Sequence, residues 1–207
     1  TIRIWDVELR EPVARLVGHK GLVKGVVFSP DGVHLASVSH DETARIWNWS
    51  REREIPGSPL RHFDPEYQDD KVNDVAYSPD GSRLATAGAN FNAVVWDAAT
   101  GRQLFAGRHR GMVWAVAFSH DGKHLASAGE DGLVRLWEVP SGKLSGCVKA
   151  QQEAYGLRRI LDVNFSRDGS RLLMATGKGG VYLVDGWRGR IGRPGSGGER
   201  VQTEALC

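Results

Sequence analysis

The sequence predicts an all-β protein built from a repeated four-stranded unit, on three observations. Runs of about six β-branched, aromatic and small residues alternate with Asp-Gly turns, where Gly adopts φ > 0 without a Cβ clash. An S-x-D-G turn begins at Ser29, Ser78, Ser119 and Ser166, at intervals of 49, 41 and 47 residues. A Trp in the third run of a unit recurs at Trp5, Trp47, Trp96 and Trp137, at intervals of 42, 49 and 41. A period of about 40 to 45 residues with four strands per unit is the sign of a β-propeller, in which no sheet buries both faces without its neighbours.

Taken in order, TIRIWD (1–6) reads as a third strand and PVARLVG (12–18) as a fourth, giving a half blade over residues 1–17. The first complete blade, about 20–60, runs through LVKGVVFS, HLASVS and TARIWN. Its fourth strand, REREIPGSPL, is charged and holds Pro56 and Pro59, which fits an outer edge where a missing N–H faces water. RHFDPEYQDDK (61–71) is a polar loop that accounts for the interval of 49. VNDVAYS, RLATAG, AVVWD and GRQLFAG make the second blade, about 70–107. VWAVAFS, HLASAG, LVRLWEV and KLSGCVKA make the third, about 111–149. After the insertion QQEAYGLRR, the fourth (158–185) reads ILDVNFS, RLLMATG and GVYLVD. Residues 186–207 are rich in Gly and Arg without strand alternation and are expected to be a flexible tail.

The front supplies strands three and four of a unit and the back strands one to three, so the third strand is duplicated. The expectation is a piece of a larger ring of the seven-bladed type, with five-bladed closure as the alternative. Thr1 inside a strand points the same way, to a fragment.

These residues carry a family resemblance. Gly18-His19, FSPDG at 28–32, LAS at 35–37 and Asp41-x-Thr43-x-x-x-Trp47 lie in one unit; YSPDG, LAT and VVWD recur at 77–81, 84–86 and 94–97. Over roughly residues 1–185 the chain resembles the WD-repeat (Trp-Asp repeat) β-propeller family. Such a set is specific for fold and weakly specific for function.

The resemblance implies a buried hydrogen-bonded tetrad in each blade: a His between blades, a Ser or Thr in the second strand, an Asp before the third strand, and the Trp. Carried over, the positions are His19, Ser37, Asp41 and Trp47, then His109, Ser127, Asp131 and Trp137. The second blade offers Gln68, Thr86, Asn90 and Trp96 at the same offsets, and the fourth Gly156, Met174, Lys178 and Val184. No tetrad survives in the fourth blade, which is expected to be the loosest. Ser, His and Asp also suggest a hydrolytic triad, but indole and imidazole groups on a packed sheet need partners of their own, which favours a structural reading.

The resemblance further implies a partner-binding face where the inter-blade loops enter the first strands. Its residues are Leu22, Lys24, His40, Lys71, Asn73, Met112, Trp114, Glu130, Arg159 and Leu161. Among them Trp114 has the character of an interface anchor, although strand alternation alone leaves its exposure open.

Composition sets the remaining bounds. With 41% hydrophobic and 25% charged residues the chain is ordinary for a globular protein, and its net charge of +2 argues against broad electrostatic binding of nucleic acid. The exception would be Arg188, Arg190 and Arg193 in the tail. His120 and His124 flank an Asp-Gly turn without a third ligand, and Gly177-Lys178-Gly179-Gly180 lacks phosphate-loop spacing. No metal or cofactor is expected. Cys147 and Cys207 form no redox or metal spacing; with Cys207 last, no disulfide is expected, and a reducing, cytoplasmic setting follows. No run is apolar enough for a membrane-spanning helix. The expected function is a non-enzymatic scaffold or sensor gripping a protein or peptide, with no small-molecule substrate. The alternatives are an accessory propeller of a larger enzyme or signalling protein, or a nucleic-acid-associated propeller.

Overall fold

The computed structural model describes residues 1–62, 70–149, 159–177 and 179–185. Among these, every paired strand is antiparallel. The half blade is β1 (Ile2–Asp6) with β2 (Glu11–Leu16). Blade 1 is β3 (Val23–Phe28), β4 (His34–Ser39), β5 (Thr43–Asn48), β6 (Arg53–Glu54) and β7 (Leu60–Arg61), with one 3-10 turn at Trp49–Arg51. Blade 2 is β8 (Val72–Tyr77), β9 (Arg83–Gly88), β10 (Asn92–Asp97) and β11 (Gln103–Arg108). Blade 3 is β12 (Val113–Phe118), β13 (His124–Gly129), β14 (Leu133–Glu138) and β15 (Leu144–Lys149). Blade 4 is β16 (Ile160–Phe165), β17 (Arg171–Thr176) and β18 (Val181–Asp185).

The S-x-D-G turns explain the sharp reversal after each inner strand. In blade 1 the Ser29 hydroxyl donates to Asp31 Oδ1 at 2.5 Å, and that oxygen also accepts the Val33 N–H at 2.9 Å. Gly32 sits at φ 70°, in the left-handed region. The same pair of bonds recurs at Asp80, Asp121 and Asp168.

Four apolar clusters fill the four gaps between successive sheets. Trp47 packs with Ile2 and Leu16 of the half blade, Trp96 with Ile46 and Leu60 of blade 1, and Trp137 with Ala85 and Val95 of blade 2. Val184, Met174 and Tyr182 of blade 4 pack against Val134 and Leu136 of blade 3. Each third strand therefore seals the interface with the sheet before it. Trp5 faces no preceding sheet among the described residues and is 54% exposed.

Two expectations are corrected. The fourth strand of blade 1 is split: β6 and β7 both pair with β5, and the segment between them holds Pro56 and Pro59, which have no N–H to give the ladder. Cys147, expected to be unpaired, is buried and disulfide-bonded. Cys207 and the rest of the predicted tail, with Arg188, Arg190 and Arg193, lie outside the described residues.

Candidate functional site

The polar residues inside the blades form relays. In blade 1 the Trp47 indole N–H donates to Ser37 Oγ at 2.8 Å, and that oxygen lies 2.7 Å from His19 Nε2. His19 Nδ1 is 2.9 Å from Asp41 Oδ2. A neutral imidazole with its proton on Nδ1 satisfies the whole chain: Trp N–H to Ser, Ser O–H to His, His N–H to Asp. Burial lowers the His19 pKa and outweighs the opposing pull of Asp41. Burial also pushes the Asp41 carboxyl up, but bonds from the Thr43 hydroxyl, the Lys20 amide and His19 prevail and hold it well below the usual carboxylate range.

Blade 3 repeats the relay, with 2.8 Å from Trp137 to Ser127, 2.7 Å from Ser127 to His109 and 3.3 Å from His109 to Asp131. It adds a cation. Arg135, 6% exposed, donates to Asp131 Oδ2 at 2.5 Å. The register-equivalent Arg45 of blade 1 turns instead to Glu54 on β6. Ser37 and Ser127 are fully buried, each hydroxyl shared between imidazole and indole, so neither is open to a substrate. The arrangement pins blades; it does not expose a nucleophile.

In blade 2 the His position is filled by His62, not by Gln68, which lies outside the described residues. His62 Nε2 is 2.5 Å from Thr86 Oγ1, which also accepts the Trp96 indole N–H at 2.8 Å. His62 Nδ1 is 3.5 Å from Asn90 Oδ1. The loop after His62 is six residues longer than its counterparts, so a fixed offset from Asn90 overshot. The recoverable signal was Arg61-His62, which matches Arg108-His109 at the end of another fourth strand. The carboxylate that Asn90 lacks is supplied by Asp70, whose Oδ1 accepts from Asn90 Nδ2 at 3.1 Å. With burial dominant and no carboxylate directly on the ring, the His62 pKa is lowered to about 4. In blade 4, Met174 and Val184 are buried in apolar packing, while Gly156 and Lys178 lie outside the described residues.

The edge where the inter-blade loops enter has its own regular feature. The pairing of each inner strand with its neighbour skips one residue: Lys24 between Val23 and Gly25, Asn73 between Val72 and Asp74, Trp114 between Val113 and Ala115, Leu161 between Ile160 and Asp162. Each is the extra residue of a β-bulge, a device that re-aims a side chain away from the ladder. Leu22, Lys24, Arg159 and Leu161 are exposed; His40, Lys71, Asn73, Met112, Trp114 and Glu130 are half-buried. Backbone bonds tie this edge together, His40 N to Leu22 O and Glu130 N to Met112 O, both at 2.9 Å. Arg159 Nε reaches Glu130 Oε1 at 3.3 Å. The Trp114 indole nitrogen has no hydrogen-bond partner among the described residues.

The residues of this edge are not equally available. Asn73 donates its amide to Val113 O at 2.9 Å, and the neighbouring Asp74 accepts the Val116 N–H at 3.0 Å. Together they clip blade 2 to blade 3, a role the repeat pattern did not signal. Among the described residues no cluster of three or more His, Cys, Asp or Glu is arranged to hold a metal ion, and no helix is long and apolar enough to cross a membrane.

The family model described as "WD domain, G-beta repeat" matches residues 10–48, 57–97 and 102–138. Curated relatives align over stretches of about 50 residues. A "Lissencephaly-1 homolog 1" from Paramecium tetraurelia is 45% identical over 53 residues, 26% of this chain and 13% of that protein. A "Nuclear distribution protein PAC1" from Ajellomyces capsulatus is 46% identical over 52 residues, 25% of this chain and 11% of the relative. A "Notchless protein homolog" from Arabidopsis thaliana is 45% identical over 49 residues, 23% of this chain and 10% of the relative. The chain thus covers little more than a tenth of the length of these relatives. With the repeat model matched over more than half of its residues and successive antiparallel blades packed face to face, the chain belongs to the WD-repeat β-propeller family.

Proposed function

We propose that this chain is a non-enzymatic interaction module that grips a protein or peptide on the edge bearing Lys24, Asn73, Trp114 and Leu161. The supporting observation is the four-fold bulge, which sets a cation, an amide, an indole and an alkyl group at one register position. Leu22, His40, Lys71, Met112, Glu130 and Arg159 flank them. Trp114 is the anchor, because large aromatic side chains contribute disproportionately at interfaces. The Ser, His and Asp that would suggest hydrolysis are engaged in the buried relays.

We also propose that these sheets belong to a larger ring. Leu173, Val181 and Leu183 on blade 4, and Trp5, Val13 and Val17 on the half blade, are exposed apolar groups on sheets that would otherwise be covered by further blades.

The test is a pull-down comparing the parent with Trp114→Ala and Lys24→Glu. Loss of the same partners from both variants is the expected result, and an unchanged set in both removes the proposal.

A further inference from the structure

The half blade sets two like charges face to face. An arginine stands two residues before the third-strand Trp in three of the sheets: Arg3, Arg45 and Arg135. Arg45 bonds to Glu54 and Arg135 to Asp131, so each of these guanidinium groups has a carboxylate. Arg3 has none among the described residues. The residue directly opposite it across the sheet is Arg15, whose side chain has none either. The Arg15 N–H points outward, to Glu52 Oε1 at 2.8 Å. Arg3 and Arg15 therefore exchange no backbone bonds and stand at the closer of the two antiparallel spacings. Like charges so placed destabilise a sheet.

We propose that Arg3 and Arg15 form a site for a phosphate monoester dianion. Both residues are exposed, and together they line a cavity of about 280 Å³ beside the outer strand of the half blade. Glu52 lines it as well, leaving two cations against one anion, with one carboxylate oxygen already engaged by the Arg15 amide. A carboxylate ligand would cancel one of the two positive charges. A phosphate monoester brings close to two negative charges at neutral pH and three acceptor oxygens, enough to meet both guanidinium forks and remove their repulsion. A further blade packed before the half blade would leave this position open. Ala106, which holds the register place of Arg15 in blade 2, is exposed although blade 1 stands before it.

The experiment is an NMR titration of the full ¹⁵N-labelled chain at about pH 7.5, above the second phosphate pKa of about 6, and at constant ionic strength. The ligands are inorganic phosphate, N-acetyl-Gly-phosphoserine-Gly-amide, its unphosphorylated counterpart and chloride. Saturable shifts of the Arg3 and Arg15 Nε–H signals are expected with both phosphate ligands and not with the unphosphorylated peptide. Tighter binding of the phosphopeptide identifies a phosphorylated protein as the source of the group, and equal binding identifies free phosphate. The affinity should fall about tenfold or more in Arg3→Gln and in Arg15→Gln. Without phosphate, Arg15→Gln should unfold at the same or higher urea concentration than the parent, because the repulsion is gone. Trp114→Ala should leave phosphate binding unchanged, which separates this site from the bulged edge. Absence of shifts at the two arginines, or indifference to Arg15→Gln, overturns the proposal. Chloride matching phosphate overturns it in favour of diffuse attraction.

Discussion

Blades 3 and 4 share strand order and register, yet they are held by different chemistry. Leu125 pairs with Trp137 in one as Leu172 pairs with Val184 in the other, and Ser127 opposite Arg135 corresponds to Met174 opposite Tyr182. Blade 3 buries a relay ending in an Arg–carboxylate pair; blade 4 presents Leu172, Met174, Tyr182 and Val184 to its neighbour. The ladder and one apolar face are therefore enough to build a blade. The relay adds a polar pin and, with it, a sensitivity to acid.

The largest expected effect tests that contrast at one register position. Trp137→Ala should lose about 3 to 5 kcal/mol in urea unfolding, against about 2 kcal/mol for Val184→Ala, which removes less volume. Equal losses would erase the distinction between the two blades.

Next, Asp131→Ala should cost about 3 kcal/mol, because it leaves the buried Arg135 charge without its carboxylate and with only His109 Nδ1 beside it, and Arg135→Met in the same chain should restore a good part of it. Asp41→Ala should cost nearer 2 kcal/mol, since Arg45 keeps Glu54. Gly107→Ala places a Cβ 2.6 Å from the Trp137 ring and should cost about 1 to 3 kcal/mol by overpacking.

The pH dependence sharpens the comparison locally. His62, His19 and His109 have folded pKa values below 6.5, so the unfolded chain binds the extra protons and stability falls as pH drops below 6.5, levelling near 4 for His62. Asp41 and Asp131 are also depressed, and their contribution is lost as pH falls below the ordinary carboxylate value of 3.8. All five act in the same direction. Hydrogen exchange at pH 7 and pH 5, corrected for intrinsic rates, should show protection lost in β9 and β13 and little changed in β17. Equal loss in β17 would mean that the relays are not the acid-sensitive part. The smallest effect belongs to the pair of exposed Arg159 with half-buried Glu130: Arg159→Ala should shift stability by less than about 1 kcal/mol.

The sequence was informative wherever one residue type is forced by geometry. The Gly of each S-x-D-G turn and the Trp of every third strand but that of blade 4 set the period, and the period set the architecture. It was less informative where function passes between positions. In blade 2 the carboxylate sits on Asp70 rather than at residue 90, and a six-residue expansion of the preceding loop hid His62 from a fixed offset. The bulges were invisible because an extra residue leaves no mark in a six-residue run whose neighbours still alternate. Asn73 shows the consequence: grouped by spacing with contact residues, its amide is already bonded to the next blade.

Lys24, Asn73, Trp114 and Leu161 have no mate across the sheet, so the pairing rules that constrain their neighbours do not reach them. Variation at such a site can rewrite what the molecule recognises while the scaffold beneath stays as it was. Where the amide has been recruited to join two blades, that freedom has been traded for cohesion, and change there should be tolerated least.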